Sequence, residues 1–267
     1  SSHFGPSFAQ IGIHTVRGHV RTRSHIPAAM ADGNLLLPEA EAQNFRSRER
    51  TSMMRANVFA LECAVVMAGY ALVLATPGLV WENLPTAAAA LRSWLLIFFG
   101  AIYLLRLNVM ARWLLPRELG MEELTVVPLW ITSILASYSL TAICCTEAIS
   151  PPAILLSALV YLLGSWLNTW SELQRKWWKA KPENKGRGYT LGLFSLSRNI
   201  NYLGDVVLFA GWAGATGNWW NAWAPLVMAA SFYFGHIPDK EKYLRDRYCG
   251  DWPEYERSVK SFIPYIC

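Results

Sequence analysis

Charge is scarce in this chain. Only 16% of its 267 residues are Asp, Glu, Lys or Arg, against about 25% in an ordinary soluble domain, so a water-covered surface on all sides is excluded as the design. Cysteine is scarce as well. Cys63, Cys144, Cys145, Cys249 and Cys267 are odd in number and lack metal-ligand spacing, which reads as reduced, structural thiols with no metal site. The histidines His3, His14, His19 and His25 are irregularly spaced and make no metal tract. Phosphate-binding glycine loops are missing: GLFSLS and GWAGATG have neither the preceding strand nor the following helix that such a loop requires. A basic helical stripe and a base-stacking motif are missing too, so the net charge of +5 does not point to nucleic acid.

What is abundant is apolar. Hydrophobic residues make up 53% of the chain, with 13 Trp and a positive mean hydropathy. Four runs, 56–75, 87–105, 125–145 and 152–170, each hold about 20 residues, enough to cross a hydrocarbon core of roughly 30 Å. Arg92 lies near the start of the second run, close enough to its end to snorkel to the interface. A fifth region, 205–235, is longer than one span and is broken by GATGN at 214–218, which predicts two shorter helices and a tight turn. The expected fold is an all-α polytopic membrane bundle with about six transmembrane helices.

The basic residues support this reading. Arg46, Arg48, Arg50 and Arg55 precede the first run, Arg106, Arg112 and Arg117 follow the second, a further cluster from Arg175 to Arg198 follows the fourth, and Lys240, Lys242, Arg245 and Arg247 come after the fifth region. The connections 76–86 and 146–151 carry no Lys or Arg. Under the positive-inside rule the basic connections and both termini are cytoplasmic. Residues 1–45 show no periodicity and read as a mobile cytoplasmic tail ahead of a membrane-embedded domain at 46–267. Nothing in the sequence fixes an oligomeric state.

Polar side chains cluster where the membrane must tolerate them. In SLSRNINYLGD, Arg198, Asn201, Tyr202 and Asp205 stand at helical spacing and would share a face at the mouth of the fifth helix. Asp205, one turn inside a span, must face a cavity or a partner, and Arg198 is placed to neutralise it. In EKYLRDRYCGDWPEY, Glu241, Arg245, Tyr248, Trp252 and Tyr255 fall at spacings of four, three, four and three. They share a face if helix persists to Pro253. One acid, one Arg and three aromatics suit a planar, anionic cofactor, although an interfacial amphipathic helix with an aromatic belt has the same composition. Arg175 and Lys179 project together from the end of the fourth helix toward phosphates bound nearby. Glu62, Tyr103 and Tyr138 lie within apolar runs and are candidates to face a substrate.

GLFSLSRNINYLGD resembles the signature of the sterol reductases and of the related steroid 5α-reductase C-terminal domain, and YLRDRYCGDWPEYERSVKSFIPYI is similar to that family's ending. The resemblance covers residues 168–267. It implies an endoplasmic-reticulum enzyme whose active site faces the cytoplasm and which reduces a carbon–carbon double bond of an apolar, sterol-like substrate with NADPH. Carried over, it implies that Asn201, Tyr202, Tyr248 and Tyr255 line the cofactor with Asp205 beside it, that Arg175 and Lys179 meet its phosphates, and that Phe194 stands in place of a Trp. Hydride transfer also needs a proton donor, for which Asp205 and Tyr202 are the candidates. Two departures stand out: Asn199 where His is usual, and Pro238, Asp239, Lys240 and Glu241 in place of an Arg-Asp-Glu run. The same layout also resembles the isoprenylcysteine and phospholipid methyltransferases, which use S-adenosylmethionine. A lipid-binding relative without catalysis is a third class consistent with Asn199.

Overall fold

The computed structural model describes residues 30–31, 34–35, 39–76, 87–114, 119–144, 149–248, 250 and 252–267. The four histidines, most of the expected tail and most of the two connections without basic residues lie outside them. Met30–Ala31 (β1) and Asn34–Leu35 (β2) form a two-residue antiparallel ladder. All the remaining regular structure described is helical: α1 Glu39–Ala75, α2 Ala87–Val109, α3 Met121–Cys144, α4 Pro151–Lys179, α5 Ile200–Ala215, α6 Trp223–Ser231, α7 Ile237–Arg247 and α8 Trp252–Ser258. The chain is an all-α membrane helical bundle.

Four helices are long and apolar enough to cross a membrane, at Arg50–Ala75, Ala90–Leu114, Glu123–Cys144 and Pro151–Lys179. Their outward faces are rich in exposed leucine, as at Leu61, Leu72, Leu155, Leu159 and Leu163. Lipid is the solvent that tolerates such faces. The fifth region does break into two, as GATGN predicts. Gly217 takes a φ of +75° in the turn, a conformation that costs glycine little because it has no Cβ. At 16 and nine residues, α5 and α6 are shorter than the roughly 20 that a span needs. α6 runs through a π-helical segment, Phe232–His236, into the charged α7.

The core is organised around Trp212 on α5. It is fully buried and makes ring contacts with Tyr70, Phe99, Tyr103, Tyr138, Tyr161 and Phe209, drawn from all five long helices. The indole donates to Tyr70 Oη at 3.0 Å. Tyr103 and Tyr138, expected to face a substrate, are therefore spent on this aromatic packing. Arg92 is also placed differently from the snorkelling expectation. It is 2% exposed and donates to the Ala142 carbonyl near the C-terminal end of α3 at 3.0 Å, where helix-end acceptors have no intrahelical partner.

The closest helix packing is between α4 and α5. A Cβ added at Gly164 would lie 2.2 Å from the backbone N of Leu208, one at Gly204 2.5 Å from the N of Asn168, and one at Gly211 2.3 Å from the N of Tyr161. Backbone meets backbone along this seam, which small residues alone permit. The seam holds the mouth of α5 against the last turns of α4.

Candidate functional site

Each polar residue of SLSRNINYLGD secures a different neighbour. Helix α5 begins only at Ile200, so Arg198 sits ahead of it and cannot share the face of Asp205. Instead its guanidinium grips Glu241 on α7 through two bonds of 2.9 Å and donates to the carbonyls of Glu256 and Val259. Asn199 is fully buried and donates to Glu241 Oε1 at 3.1 Å and to the Ser261 carbonyl at 2.9 Å. The residue that replaces the usual His thus keeps a donor and loses titration. Ser197 donates to the Phe262 carbonyl at 2.7 Å. These bonds clamp the C-terminal segment over the start of α5.

Asp205 has no exposure, and its partner is Arg106 on α2, at 2.9 Å, with Asn168 donating to its other oxygen at 3.0 Å. The neutralising cation therefore comes from the second helix and not from Arg198. Asn201 donates to Glu172 on α4 at 2.8 Å. Tyr202 stacks on Phe232 with ring centroids 4.6 Å apart.

Above this layer lies a cleft of about 720 Å³. Its walls come from Glu172, Arg175, Lys176 and Lys179 on α4, from the connection that includes Asn184, Gly188, Tyr189 and Phe194, from Arg198, from Lys240, Tyr243, Leu244 and Arg247 on α7, and from Tyr248, Trp252 and Tyr255. Leu114, at the end of the π-helical turn that extends α2, closes one edge. Arg175 is ion-paired with Glu172 and stands 5.9 Å over the Phe194 ring. Lys179 Nζ donates to Tyr248 Oη at 2.9 Å. Tyr255 donates to the Phe194 carbonyl at 2.6 Å, and burial pushes its phenol well above the ordinary value, opposed by Arg198.

The sequence-derived residues thus divide. Arg175, Lys179, Phe194, Arg198, Tyr248, Trp252 and Tyr255 line the cleft. Asn201, Tyr202, Asp205 and Glu241 form the buried layer that supports it. Arg245 points away, paired with Glu256 at the surface. Glu62 is half-buried on α1 and is not among the lining residues. The expected single stripe from Glu241 to Tyr255 is cut because helix ends at Arg247, where Tyr248 adopts φ −120° and ψ 45°, and resumes at Trp252. Tyr248, Trp252 and Tyr255 still meet at the cleft, but by a chain turn and not by one helix face. Sequence reasoning passed over Lys240 and Arg106 as flanking charges. Only a count of which buried acids still need a cation would have found Arg106.

Glu241→Gln should loosen this clamp while leaving the transmembrane helices folded. Exchange of one charged acceptor for a neutral amide costs about 2 kcal/mol in such a setting. Faster amide hydrogen exchange at 259–262 is the expected readout, and unchanged protection there would refute the clamp.

A family model described as a protein of unknown function, DUF1295, matches residues 126–260, just over half of the chain. The chain belongs to the DUF1295 family. The DUF1295 region runs from α3 into the segment after α8 and contains every cleft-lining residue except Leu114, while Arg106 lies outside it. A probable O-methyltransferase, ustE, of Ustilaginoidea virens is 29% identical over 103 residues. The match takes in 39% of this chain and 35% of the relative, so the chain spans about a third of the length of the curated relative it matches.

Proposed function

We propose that this protein is a membrane-embedded methyltransferase that uses S-adenosylmethionine to methylate an apolar acceptor at the cytoplasmic face of a membrane, and that the acceptor atom is an oxygen. The observation that carries the reading is the cleft's pairing of a buried carboxylate, Glu172, with the adjacent cations Arg175 and Lys179 beneath an aromatic wall. An amino-acid group offers one ammonium and one carboxylate, and such a pair of opposite charges matches it. Tyr189, Phe194, Trp252 and Tyr255 suit the adenine ring. The similarity to a protein named as an O-methyltransferase supports the same reading.

When bound, S-adenosylmethionine supplies a methyl group on a positively charged sulfur. The protein's part is to hold the acceptor oxygen in line and to keep water out, for which the buried Phe194, Trp252 and Tyr255 are suited. An apolar acceptor reaches the cleft from the bilayer past Leu114. Membrane lipids and this small molecule are the expected partners.

A second reading, NADPH-dependent reduction of a carbon–carbon double bond, has one observation in its favour. Arg175, Lys176, Lys179, Lys181, Lys185, Arg198, Lys240 and Arg247 line the cleft against a single acid among the described residues, Glu172, which suits a polyanionic ligand. Against it, Asp205 and Tyr202, the proton donors that reading named, lie outside the lining. Calorimetry on the detergent-purified protein separates the two. S-adenosylmethionine should bind, and Tyr248→Ala should weaken it roughly tenfold by removing the ring that seats Lys179. Selective binding of NADPH would return the reductase.

A further inference from the structure

Lys240 is the least expected residue of the cleft. It is 3% exposed, yet its Nζ finds no hydrogen-bond acceptor among the described residues. A buried ammonium without an acceptor is costly. The amine stands 4.5 Å from the centroid of the Tyr202 ring and lines the cleft. The charged groups around it come from one further element and from its own: Glu172 and Arg175 on α4, and its neighbour Glu241 on α7. Both acids are already engaged, Glu172 by Asn201 and Arg175, and Glu241 by Arg198, Asn199 and Ser261. A second buried donor without an acceptor among the described residues, Trp252 Nε1, lines the same cleft. The cleft therefore presents donors that no described part of the protein satisfies, and what would satisfy them is an acceptor brought by a ligand.

We infer that the Lys240 amine is a proton-linked anchor for an oxyanion of the cleft's ligand, taking up a proton as a carboxylate or phosphate oxygen docks against it. The inference rests on the cleft being the ligand site, and it holds for either source of the oxyanion, the carboxylate of an amino-acid group or the phosphate of a nucleotide. Burial lowers the amine from the ordinary lysine value to about 7, Arg175 presses the same way, and Glu172 and Glu241 oppose it. Without a docked anion, much of the population is thus neutral near physiological pH. A docked anion pairs with the ammonium and raises the pKa again, so binding draws a proton from the buffer. Arg175 and Lys179 line the same cleft and add their own attraction for the anion. Lys240 makes the attraction weaken as pH rises above neutrality.

The test is isothermal titration calorimetry of the whole purified protein at about pH 7.5, repeated in two buffers of different ionisation enthalpy. The probes are S-adenosylhomocysteine and NADP⁺. For an amine with a pKa of about 7, uptake on binding should be about three-quarters of a proton. It should vanish in Lys240→Met, and also in Lys240→Arg, whose guanidinium stays charged and which serves if the first variant fails to fold. S-adenosylhomocysteine binding with uptake that both variants lose supports the inference and the methyltransferase reading together. Binding with the same heat in both buffers, or uptake that survives both substitutions, overturns the inference and leaves that reading standing. Binding and uptake with NADP⁺ alone keep the inference and overturn the methyltransferase. Binding of neither probe overturns both.

Discussion

Asp205→Ala should unfold the protein at a far lower temperature than any substitution in the cleft lining. The carboxylate has no exposure and holds Arg106, itself 4% exposed, at 2.9 Å. Its removal leaves a buried guanidinium without its counter-charge and takes an acceptor from Asn168. Breaking a buried pair from one side costs about 3–5 kcal/mol. The double substitution Arg106→Met with Asp205→Leu should recover most of that loss, because two apolar groups leave no stranded charge. Thermal unfolding in detergent, followed by tryptophan fluorescence, reads both. An Asp205→Ala protein that melts with the wild type would overturn the structural role, and a double variant as unstable as the single one would show that the pair is not the cause. The sequence alone favours a loss of turnover over a loss of stability at this position. Its place outside the cleft lining and its pairing with Arg106 reverse that expectation.

Gly204→Ala is also expected to be strongly destabilising, without any change of charge. The added methyl would stand 2.5 Å from the backbone N of Asn168 and 2.9 Å from the carbonyl oxygen of Gly164. Neither is the end of a flexible side chain, so α4 and α5 must separate to admit it. Overpacking of this kind costs typically 1–3 kcal/mol and more where backbone blocks relaxation. The separation also pulls Asn168 away from Asp205 and Asn201 away from Glu172, two bonds that join the same helices. Gly69→Ala is the control, since nothing lies within 4 Å of a Cβ there. Its unfolding temperature should match or exceed the wild type, as Ala is the better helix former by about 1 kcal/mol. Equal melting of the Gly204 and Gly69 variants would mean that the α4–α5 seam is not close-packed.

The reading of the polar motif shows where sequence stops. Spacing identifies Arg198, Asn201, Tyr202 and Asp205 as polar residues that a membrane helix has to accommodate, and all four are held by specific bonds or ring contacts. It could not assign their partners. Those lie between 29 and 99 residues away for Asn201 with Glu172, Arg198 with Glu241, and Asp205 with Arg106. A periodicity of 3.6 carries information about faces and none about which helix each face meets.

By itself the sequence determined the solvent and the material of the fold. Runs of about 20 apolar residues with few charges can be satisfied only as helices in lipid, because no other open structure pairs its own backbone there. It determined the break at GATGN and the gathering of Arg175, Lys179, Tyr248, Trp252 and Tyr255 near one end of the bundle. Only the tertiary structure decided that Asp205 belongs to Arg106, that Tyr103 and Tyr138 pack on Trp212, and that Lys240 lies buried against Tyr202 with no acceptor among the described residues. Those outcomes depend on which helices touch. In this protein contact is set by glycines that let backbones meet and by buried charges that need partners from other helices, neither of which is visible until the chain is closed on itself.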